Sequence, residues 1–275
     1  MAILPYPYPM NIEHISVSRG KSYKQCPYYY KLKYHDKVPN PGEEPFYFVY
    51  GKIIHKIAEC HVAEEGARTI KEISKDVLGG KIEIEFGKTA PALPADYRAR
   101  LPGHLRALER LNTKIGCSGI TEYKFRYDLE KPNSKFVTGF IDRIILRDGK
   151  AWIIDYKTTK KGPFRENKHS VRRDPQLRMY SKVVQKEFGI EPENIRAALF
   201  YVEDEEVIDA SYTEESLVAV ERELLELYDS IKSHPPEEAR GTVGNHCKRC
   251  EYRDMCPFFR SGQKKVYWDG NLSSL

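Results

Sequence analysis

The sequence predicts an α/β protein in which a mixed central sheet is flanked by helices. Three observations favour this class: helical spacing dominates the first part of the chain, strand-like alternation takes over in the middle, and a helix separates this region from two later strand segments. With 275 residues and 40% hydrophobic content, the chain can bury a substantial core as one elaborated domain or two small ones.

The first part of the chain is predicted to be helical. An extended arm rich in Pro and Tyr is expected at residues 1–15. Residues 18–34 and 46–65 have the pattern of helices, and a further helix is expected within 95–114. The residues that recur near helical spacing in the second segment are Ile53, Ile54, Ile57, Ala58 and His61. Residues 16–118 should therefore form a helical region in front of the sheet.

The middle of the chain changes to the pattern of strands. Residues 120–129, 136–147 and 150–158 are rich in β-branched and aromatic side chains and are separated by turn-forming residues. We expect them to be strands of an α/β core that spans residues 119–212.

The next helix has clear ends in the sequence. Asp174 suits an N-cap, Pro175 suits the first helical position and Gly189 suits a C-terminal stop, which together predict a helix over 175–188. The remaining predicted elements are strands near 195–202 and 206–212, a long helix over about 214–233 that belongs to a C-terminal region 213–260, and a tail at 261–275.

Composition and charge exclude few functions. The 45 Lys and Arg residues against 40 Asp and Glu give a net charge of +5, which is too mild to separate a nucleic-acid binder from other soluble proteins. No segment has the length of a membrane span or the features of a signal peptide, so we expect a cytoplasmic or nucleoid-associated protein without a membrane partner. An ATP motor is not expected, because the P-loop-like residues 87–89 lack the first glycine, at Ile82.

A predicted hairpin brings two acids together. The dipeptide at 148–149 is Asp-Gly, which favours a two-residue type I′ turn between strands. Such a turn pairs Arg147 with Lys150, and counting outward places Asp142 opposite Asp155. Like charges at opposing positions of a ladder destabilise it, so a positive group is expected between them.

Period-2 alternation adds Lys157 to the face that carries Asp142 and Asp155. One interpretation is a solvated hairpin face on which Lys157 neutralises an aspartate. Against it, the strands carry apolar residues on both faces, and buried carboxylates require a cation or hydrogen bonds. These apolar residues are Phe140, Ile141, Ile144, Ile145, Trp152, Ile153 and Ile154. Carboxylates and water are the ligands that Mg²⁺ uses, which makes a hydrolytic metal site the sharper hypothesis.

Three segments together resemble a known family. Residues 139–143 (Gly-Phe-Ile-Asp-Arg), 155–158 (Asp-Tyr-Lys-Thr) and 176–180 (Gln-Leu-Arg-Met-Tyr) resemble the RecB-type branch of the PD-(D/E)xK nucleases, which includes the AddB nuclease domain and the CRISPR-associated iron-sulfur exonucleases. The motifs span residues 16–260. The proline of the name motif is replaced by Ile141, as is usual in this branch. The resemblance implies a restriction-endonuclease-like core with a helical N-terminal insertion.

The resemblance also implies a catalytic constellation. Asp142, Asp155 and the main-chain carbonyl of Tyr156 would ligate Mg²⁺ or Mn²⁺, and Lys157 would be the catalytic lysine. His55 matches the additional metal-binding histidine of the branch, although a lone helical histidine is more often structural.

Further residues are assigned accessory roles by the same resemblance. Gln176 and Tyr180 match a Q-x-x-x-Y motif and lie on one side of their helix, facing the active site and nucleic acid. The alternative for Tyr180 is ordinary helix packing. Glu122 resembles an accessory acid, and Arg143 and Arg178 are candidate DNA contacts.

Four cysteines form a second candidate site. Cys247, Cys250 and Cys256 have the spacing C-x₂-C-x₅-C, which suggests a metal site in a reducing compartment but leaves one tetrahedral position empty. The iron-sulfur members of the branch supply the fourth ligand from an early cysteine before a proline, here Cys26. The resemblance implies a 4Fe-4S cluster that joins the N- and C-terminal segments; zinc uses the same ligands, and His246 is a possible zinc ligand.

The other two cysteines, Cys60 and Cys117, have no partners at metal-ligand spacing and are expected to be packed thiols. Basic and aromatic residues alternate in segments 28–34 and 160–165, which could contact single-stranded nucleic acid. For the first segment, packing as a half-buried helix is an equal alternative.

These observations predict a metal-dependent DNA nuclease, an exonuclease on duplex ends or single strands, in recombination, repair, replication or CRISPR adaptation. A separate helicase or a recombination or CRISPR adaptation protein is the expected partner. Two alternatives stay open: a non-catalytic DNA-binding or assembly subunit with the same fold, and a zinc-binding interaction protein.

Overall fold

The structure is a computed structural model that describes residues 10, 12–130, 135–162 and 165–260. Most of the expected N-terminal arm, the whole C-terminal tail and residues 163–164 of the second basic and aromatic segment lie outside the described residues. The helices are α1 (Val17–Gln25), α2 (Pro27–Tyr30), a π-helical turn (Lys31–His35), α3 (Phe46–Ala63), α4 (Ile70–Leu78), α5 (Ala95–Ile115), α6 (Pro175–Phe188), α7 (Glu214–Ser233) and α8 (Pro257–Arg260). The strands are β1 (Ile120–Asp128), β2 (Phe136–Arg147), β3 (Lys150–Lys157), β4 (Ile195–Tyr201) and β5 (Glu206–Ala210).

The chain divides into two compact units. The first consists of residues 1–43, 128–138 and 222–275, and the second consists of residues 44–127 and 139–221. In the part of the chain that the structure describes, no helix has both the length and the apolarity needed to cross a membrane.

A mixed five-stranded sheet forms the centre of the second unit. The strand order is β1-β2-β3-β4-β5, with β2–β3 and β4–β5 antiparallel and β3–β4 parallel. Side chains of α3, α4 and α5 pack against Ile145, Ile154 and Tyr156 on one face, while α6 contacts β3 and β4. The predicted α/β class, a mixed sheet flanked by helices, is confirmed.

The β2–β3 hairpin has the predicted register. Arg147 pairs with Lys150 and Ile144 pairs with Ile153. Asp148 and Gly149 both have positive φ, at 51° and 69°, as a type I′ turn requires. The last pair of the register is Arg143 with Ile154, and Asp142 and Asp155 are the next residues on the two strands.

Helix α6 has the predicted ends. The Asp174 side chain accepts hydrogen bonds from the N–H groups of Gln176 and Leu177, and Gly189 ends the helix in the left-handed conformation at φ 64°. Helix α4 was not predicted. It begins with a capping box in which Thr69 accepts from the N–H of Glu72 and the Glu72 carboxylate accepts from the N–H of Thr69.

The first unit joins distant parts of the chain around α1 and the later half of α7. Ile15 forms a parallel bridge with Val137, and the Tyr228 hydroxyl donates to the carbonyl of Ile12 at 3.2 Å. A side chain at Gly20 would collide with Leu227, since an added Cβ would lie 2.5 Å from its Cδ2. Glycine at this position therefore allows the close approach of α1 to α7.

Candidate active site

Asp142 lies at the open end of the β2–β3 hairpin and reaches across to β3. Its Oδ2 accepts a hydrogen bond of 2.8 Å from the backbone N–H of Tyr156, the residue after Asp155. The glycine three residues earlier, Gly139, has no room for a side chain, because a Cβ would lie 2.7 Å from the ring of Phe125. The glycine of the Gly-x-x-Asp pattern thus allows the Phe125 ring of β1 to lie against β2, three residues before the acid.

Asp155 is nearly fully buried, at 2% exposure, and is held from two sides. The Gln176 Nε2 atom donates to Asp155 Oδ1 at 2.9 Å and also contacts the Tyr180 hydroxyl oxygen at 2.7 Å. Lys157 forms an ion pair with Oδ2 of Asp155. The Tyr180 ring packs edge-on against Phe125, with centroids 5.9 Å apart. The Q-x-x-x-Y residues therefore orient the carboxylate of β3.

His55 projects from α3 towards the same place. Its Nε2 lies 2.8 Å from the carbonyl oxygen of Tyr156 and its Nδ1 lies 3.4 Å from Asp142 Oδ2. A carbonyl oxygen only accepts, so Nε2 carries a proton in this arrangement. Burial opposes a charge on the ring, but the carboxylates of Asp142 and Asp155 outweigh it and raise the pKa of His55 to about 9.

Glu122 completes a group of potential metal ligands. One ligand atom from each of His55, Glu122 and Asp142 lies within 4.8 Å of the other two. Glu122 also has a left-handed backbone conformation, φ 46°, which is strained for a residue with a side chain. Burial, together with the nearby Asp142 charge, raises the pKa of Glu122 to about 7. The sequence had assigned this residue only an accessory role.

Burial and neighbouring charges have opposing effects on the pKa values of Asp142, Asp155 and Lys157. Burial alone would raise the pKa of Asp142, but His55 and Lys157 hold it below its usual value. Burial and the Asp142 charge keep the pKa of Asp155 raised despite the ion pair with Lys157. Burial disfavours the charged form of Lys157, but the two aspartates raise its pKa above the ordinary value, so it stays protonated at neutral pH.

The residues fit a divalent cation. Carboxylate and carbonyl oxygens with one imidazole are donors that Mg²⁺ and Mn²⁺ accept. Oδ2 of Asp155 is buried and makes no hydrogen bond of normal geometry, although Lys157 contacts it as an ion pair. A buried acidic oxygen with this remaining capacity is where a cation would be stabilising.

A groove of about 680 Å³ is lined by four residues of the candidate site, His55, Glu122, Tyr156 and Lys157. The rest of its lining comes from α3, from the segment between α4 and α5 and from the segment after β3. The additional lining residues are Tyr47, Phe48, Gly51, Lys52, Lys56, Glu59, Ile84, Thr158 and Thr159. His55, Glu122 and Lys157 are therefore accessible from the groove, whereas Asp155 is 2% exposed and does not line it.

Two arginines do not have the roles expected from the sequence. Arg143 is 0% exposed and donates to Asn112 Oδ1 at 2.7 Å and to the carbonyls of Gly116 and Ser118 at 2.6 and 2.9 Å. Its guanidinium is enclosed and cannot reach DNA. Arg178 is also buried, and its guanidinium lies 3.4 Å from the carbonyl of Arg173. The alternation of charge in the sequence does not reveal this burial.

The first basic and aromatic segment packs within the protein, whereas Lys160 and Lys161 of the second are exposed. Tyr30 is fully buried, and Lys33 is paired with Glu251 at 3.1 Å and with the Tyr29 hydroxyl at 2.8 Å. These contacts match the packed-helix alternative for residues 28–34. In the second segment, the Arg165 side chain is 4% exposed and pairs with acids of the β4–β5 turn.

The four cysteines that the sequence singled out line one cavity in the first unit. Cys26 caps α2, and its Sγ accepts from the N–H of Tyr29 at 3.4 Å; Cys247 Sγ accepts from the N–H of Gly244 at 3.4 Å. Burial raises the pKa of the Cys26 thiol, and the neighbouring cysteines add to the effect. Among the described residues, the group with ligand atoms within 4.8 Å of one another does not include these cysteines.

The other two cysteines lie outside this cavity. Cys117 contacts His61 Nε2 at 3.4 Å, and His61 Nδ1 lies 2.9 Å from the carbonyl of Arg68. Cys60 is partly buried. Both cysteines are packed thiols, as expected. The contact of Cys117 with His61 was not predicted.

Paired acids on adjacent strands of a mixed α/β sheet, beside a histidine, a third acid and a protonated lysine that line a groove, define a metal-dependent hydrolase of phosphate esters. The family model for the PD-(D/E)XK nuclease superfamily matches residues 14–257, and the chain belongs to that superfamily. A search of curated proteins finds no match. A similar solved structure is entitled "Crystal structure of SSO0001"; it is 15% identical, the similarity covers 76% of this chain and 84% of the other, and the TM-score is 0.37.

Proposed function

We propose that the chain is a deoxyribonuclease that hydrolyses phosphodiester bonds with Mg²⁺ or Mn²⁺. The observation that carries this proposal is the convergence of imidazole, carboxylate and carbonyl donors beside the ion pair of Lys157 and Asp155, in one groove. The residues that would hold the ion are His55, Glu122, Asp142, Asp155 and the carbonyl of Tyr156. Such an ion, when bound, supplies an activated water and neutralises charge on the phosphate.

The chain's own residues divide the remaining tasks. Lys157 keeps its proton, because neighbouring acids raise its pKa, so it acts as a charged donor to the phosphate oxygens or the attacking water and not as a base. Gln176 holds Oδ1 of Asp155, which fixes the direction of Oδ2. The Tyr156 N–H holds Asp142 in the same way. These bonds orient the ligands before the substrate arrives.

We further infer exonucleolytic cleavage at DNA ends or on single strands. The support is the similarity of residues 139–143, 155–158 and 176–180 to the RecB-type branch. The same similarity supports a place in recombination, repair, replication or CRISPR adaptation, with a separate helicase or a recombination or CRISPR adaptation protein as partner.

The test is a time course on end-labelled single-stranded and duplex DNA with Mn²⁺, Mg²⁺ or chelator, with circular single strands to detect internal cleavage. We expect metal-dependent degradation of linear strands and resistance of circles. Asp142→Asn should be inactive and Asp209→Asn, a change on β5, should be fully active. A folded wild-type protein that binds DNA but cuts none of these substrates would favour the non-catalytic DNA-binding subunit instead.

We also propose that Cys26, Cys247, Cys250 and Cys256 hold a 4Fe-4S cluster. The four side chains line one cavity, and four cysteine thiolates are the ligand set of such a cluster. His246 lines the same cavity with an unpartnered Nε2, which keeps zinc as the alternative. Anaerobic purification should give a brown protein with about four irons per chain; a colourless protein with one zinc would contradict the cluster.

A further inference from the structure

We propose that Tyr47 and Phe48 form a stacking subsite for an unpaired base of single-stranded DNA, within three nucleotides of the scissile phosphate. This inference rests on the proposed nuclease function and specifies the substrate that its groove selects. The two rings lie in the first turn of α3, which also carries His55.

The first observation is the exposure of the two aromatic side chains. Tyr47 is 40% exposed and Phe48 is 52% exposed. Their ring centroids lie 4.4 Å apart with an interplanar angle of 38°, so the rings form one continuous apolar surface. Both rings line the groove that contains His55 and Lys157. An exposed aromatic pair that is continuous with a reaction site marks a binding surface more than a packing defect.

The second observation is the distance along the helix. Phe48 precedes His55 by seven residues, which is two turns, and both side chains line the same groove. At 1.5 Å per residue the separation is about 10.5 Å along the axis. Stacked nucleotides of one strand are about 3.4 Å apart, so this length corresponds to about three nucleotides, or fewer in an extended strand. The rings therefore lie where a base adjacent to the cleaved bond would be.

The third observation is the charge at this end of the groove. Lys52 is held by Glu44 and Glu85, both at 3.0 Å, and Lys56 is paired with Glu59. Lysines that are neutralised within the protein contribute little attraction for phosphates. The free energy of binding at this end must then come mainly from the ring surfaces, and base faces are the parts of a nucleic acid that stack on aromatic rings.

Single strands fit this surface better than duplex DNA. Within a duplex both faces of each base are covered by neighbouring bases, whereas an unpaired strand can place a base face on a protein ring. Stacking does not depend on base identity, so the subsite would select strandedness without selecting sequence.

The experiment is a double-mutant cycle between protein and DNA. Affinities of single-stranded oligonucleotides are measured with Ca²⁺ in place of Mg²⁺, for an intact strand and for strands with one abasic site at each of the first six positions from the end. For the wild-type protein we expect one position at which base removal weakens binding by about 5- to 150-fold, the range of base–aromatic stacking. Phe48→Ala should weaken binding of the intact strand by a similar factor and remove the response at that position.

Matched variants separate stacking from other effects. Phe48→Trp should preserve the abasic response and Phe48→Leu should lose it. Phe86→Ala should change nothing, because Phe86 is 98% exposed but does not line the groove. The loss caused by Phe48→Ala should be the same at 50 and 200 mM salt, unlike the loss of a phosphate contact.

Two failures are distinguishable. If Phe48→Ala keeps the wild-type abasic profile while the wild type still cleaves DNA, the stacking subsite is wrong and the nuclease stands. If the wild-type protein cleaves no DNA with any metal, the proposed function fails first.

Discussion

The candidate active site and the cysteine cavity differ in how their polar atoms are satisfied by the protein. In the active site, Asp142 accepts from the backbone N–H of Tyr156, and Asp155 accepts from Gln176 and pairs with Lys157. Each acid has a fixed orientation. In the cavity, the sulfur atoms of Cys26 and Cys247 each accept a long hydrogen bond of 3.4 Å from a backbone N–H, and burial with neighbouring sulfurs raises the pKa of the Cys26 thiol.

This difference predicts opposite consequences of removing metal. The active site is organised by hydrogen bonds within the sheet and α6, so its metal should be removable with little loss of stability. In the cysteine cavity the thiol sulfurs of Cys26 and Cys247 accept long hydrogen bonds of 3.4 Å, so the stability of this region should be linked to the bound metal or cluster. Chelation of the first site should therefore stop cleavage, and loss of the second should unfold part of the chain.

The largest expected effect is that of Lys157→Met on catalysis. Removing the charged donor next to Asp155 should lower the single-turnover cleavage rate by about 10²–10³-fold or more, because charge on the phosphate is then unsupported in the transition state. The melting temperature should fall by several degrees, because the change leaves the buried Asp155 without its ion-pair partner, so the rates are compared at a temperature at which both proteins are folded. Lys150→Met, an exposed change on the same strand, is the control. A Lys157→Met protein that cuts at the wild-type rate would remove Lys157 from the mechanism.

Cys250→Ser should act mainly on metal content and stability. We expect loss of the bound iron or zinc and a fall in melting temperature of roughly 5–15 °C, which corresponds to a few kcal/mol at about 2–4 °C per kcal/mol. Metal analysis and thermal unfolding check this result. Cys60→Ser is the matched control, since Cys60 lies outside the cavity. Wild-type stability after complete metal loss would contradict the link between the cavity and folding.

Arg143→Met should affect stability without affecting metal binding. The change leaves Asn112 Oδ1 and two carbonyls without their donor, so we expect destabilisation of about 2–4 kcal/mol in urea unfolding. Arg196→Met, on the exposed side of β4, should cost less than about 0.5 kcal/mol. A specific loss of DNA affinity in Arg143→Met at unchanged stability would restore the DNA-contact role.

The features that local sequence determines were predictable. The hairpin register follows from two residues, Asp148 and Gly149, and the ends of α6 follow from Asp174 and Gly189, because each signal acts within a few residues of chain. The start of α4 has a signal of the same kind in Thr69 and its capping-box partner Glu72, although this helix was not predicted.

The features that depend on tertiary structure were not predictable. Arg143 is buried only because the end of α5 and the segment before β1 turn Asn112 and two carbonyls towards it. Glu122 joins the ligand group through a left-handed backbone conformation that no residue pattern indicates. The sequence thus predicted metal-ligand roles for Asp142 and Asp155 on the hairpin, but only an accessory role for Glu122 on β1.

Glu122→Gly tests whether the acid on β1 is a metal ligand, and its expected effect is the smallest among these variants. Glycine relieves the cost of the left-handed conformation, about 1 kcal/mol, so we expect a small gain in the free energy of unfolding without metal. The same change removes a ligand, so the Mn²⁺ concentration needed for half-maximal cleavage should rise about 10-fold or more. Glu65→Gly, at φ 51° on an exposed turn, should gain similar stability and keep wild-type metal dependence. A Glu122→Gly protein with unchanged metal dependence would show that the strained backbone holds Glu122 near His55 and Asp142 for a purpose other than ligation.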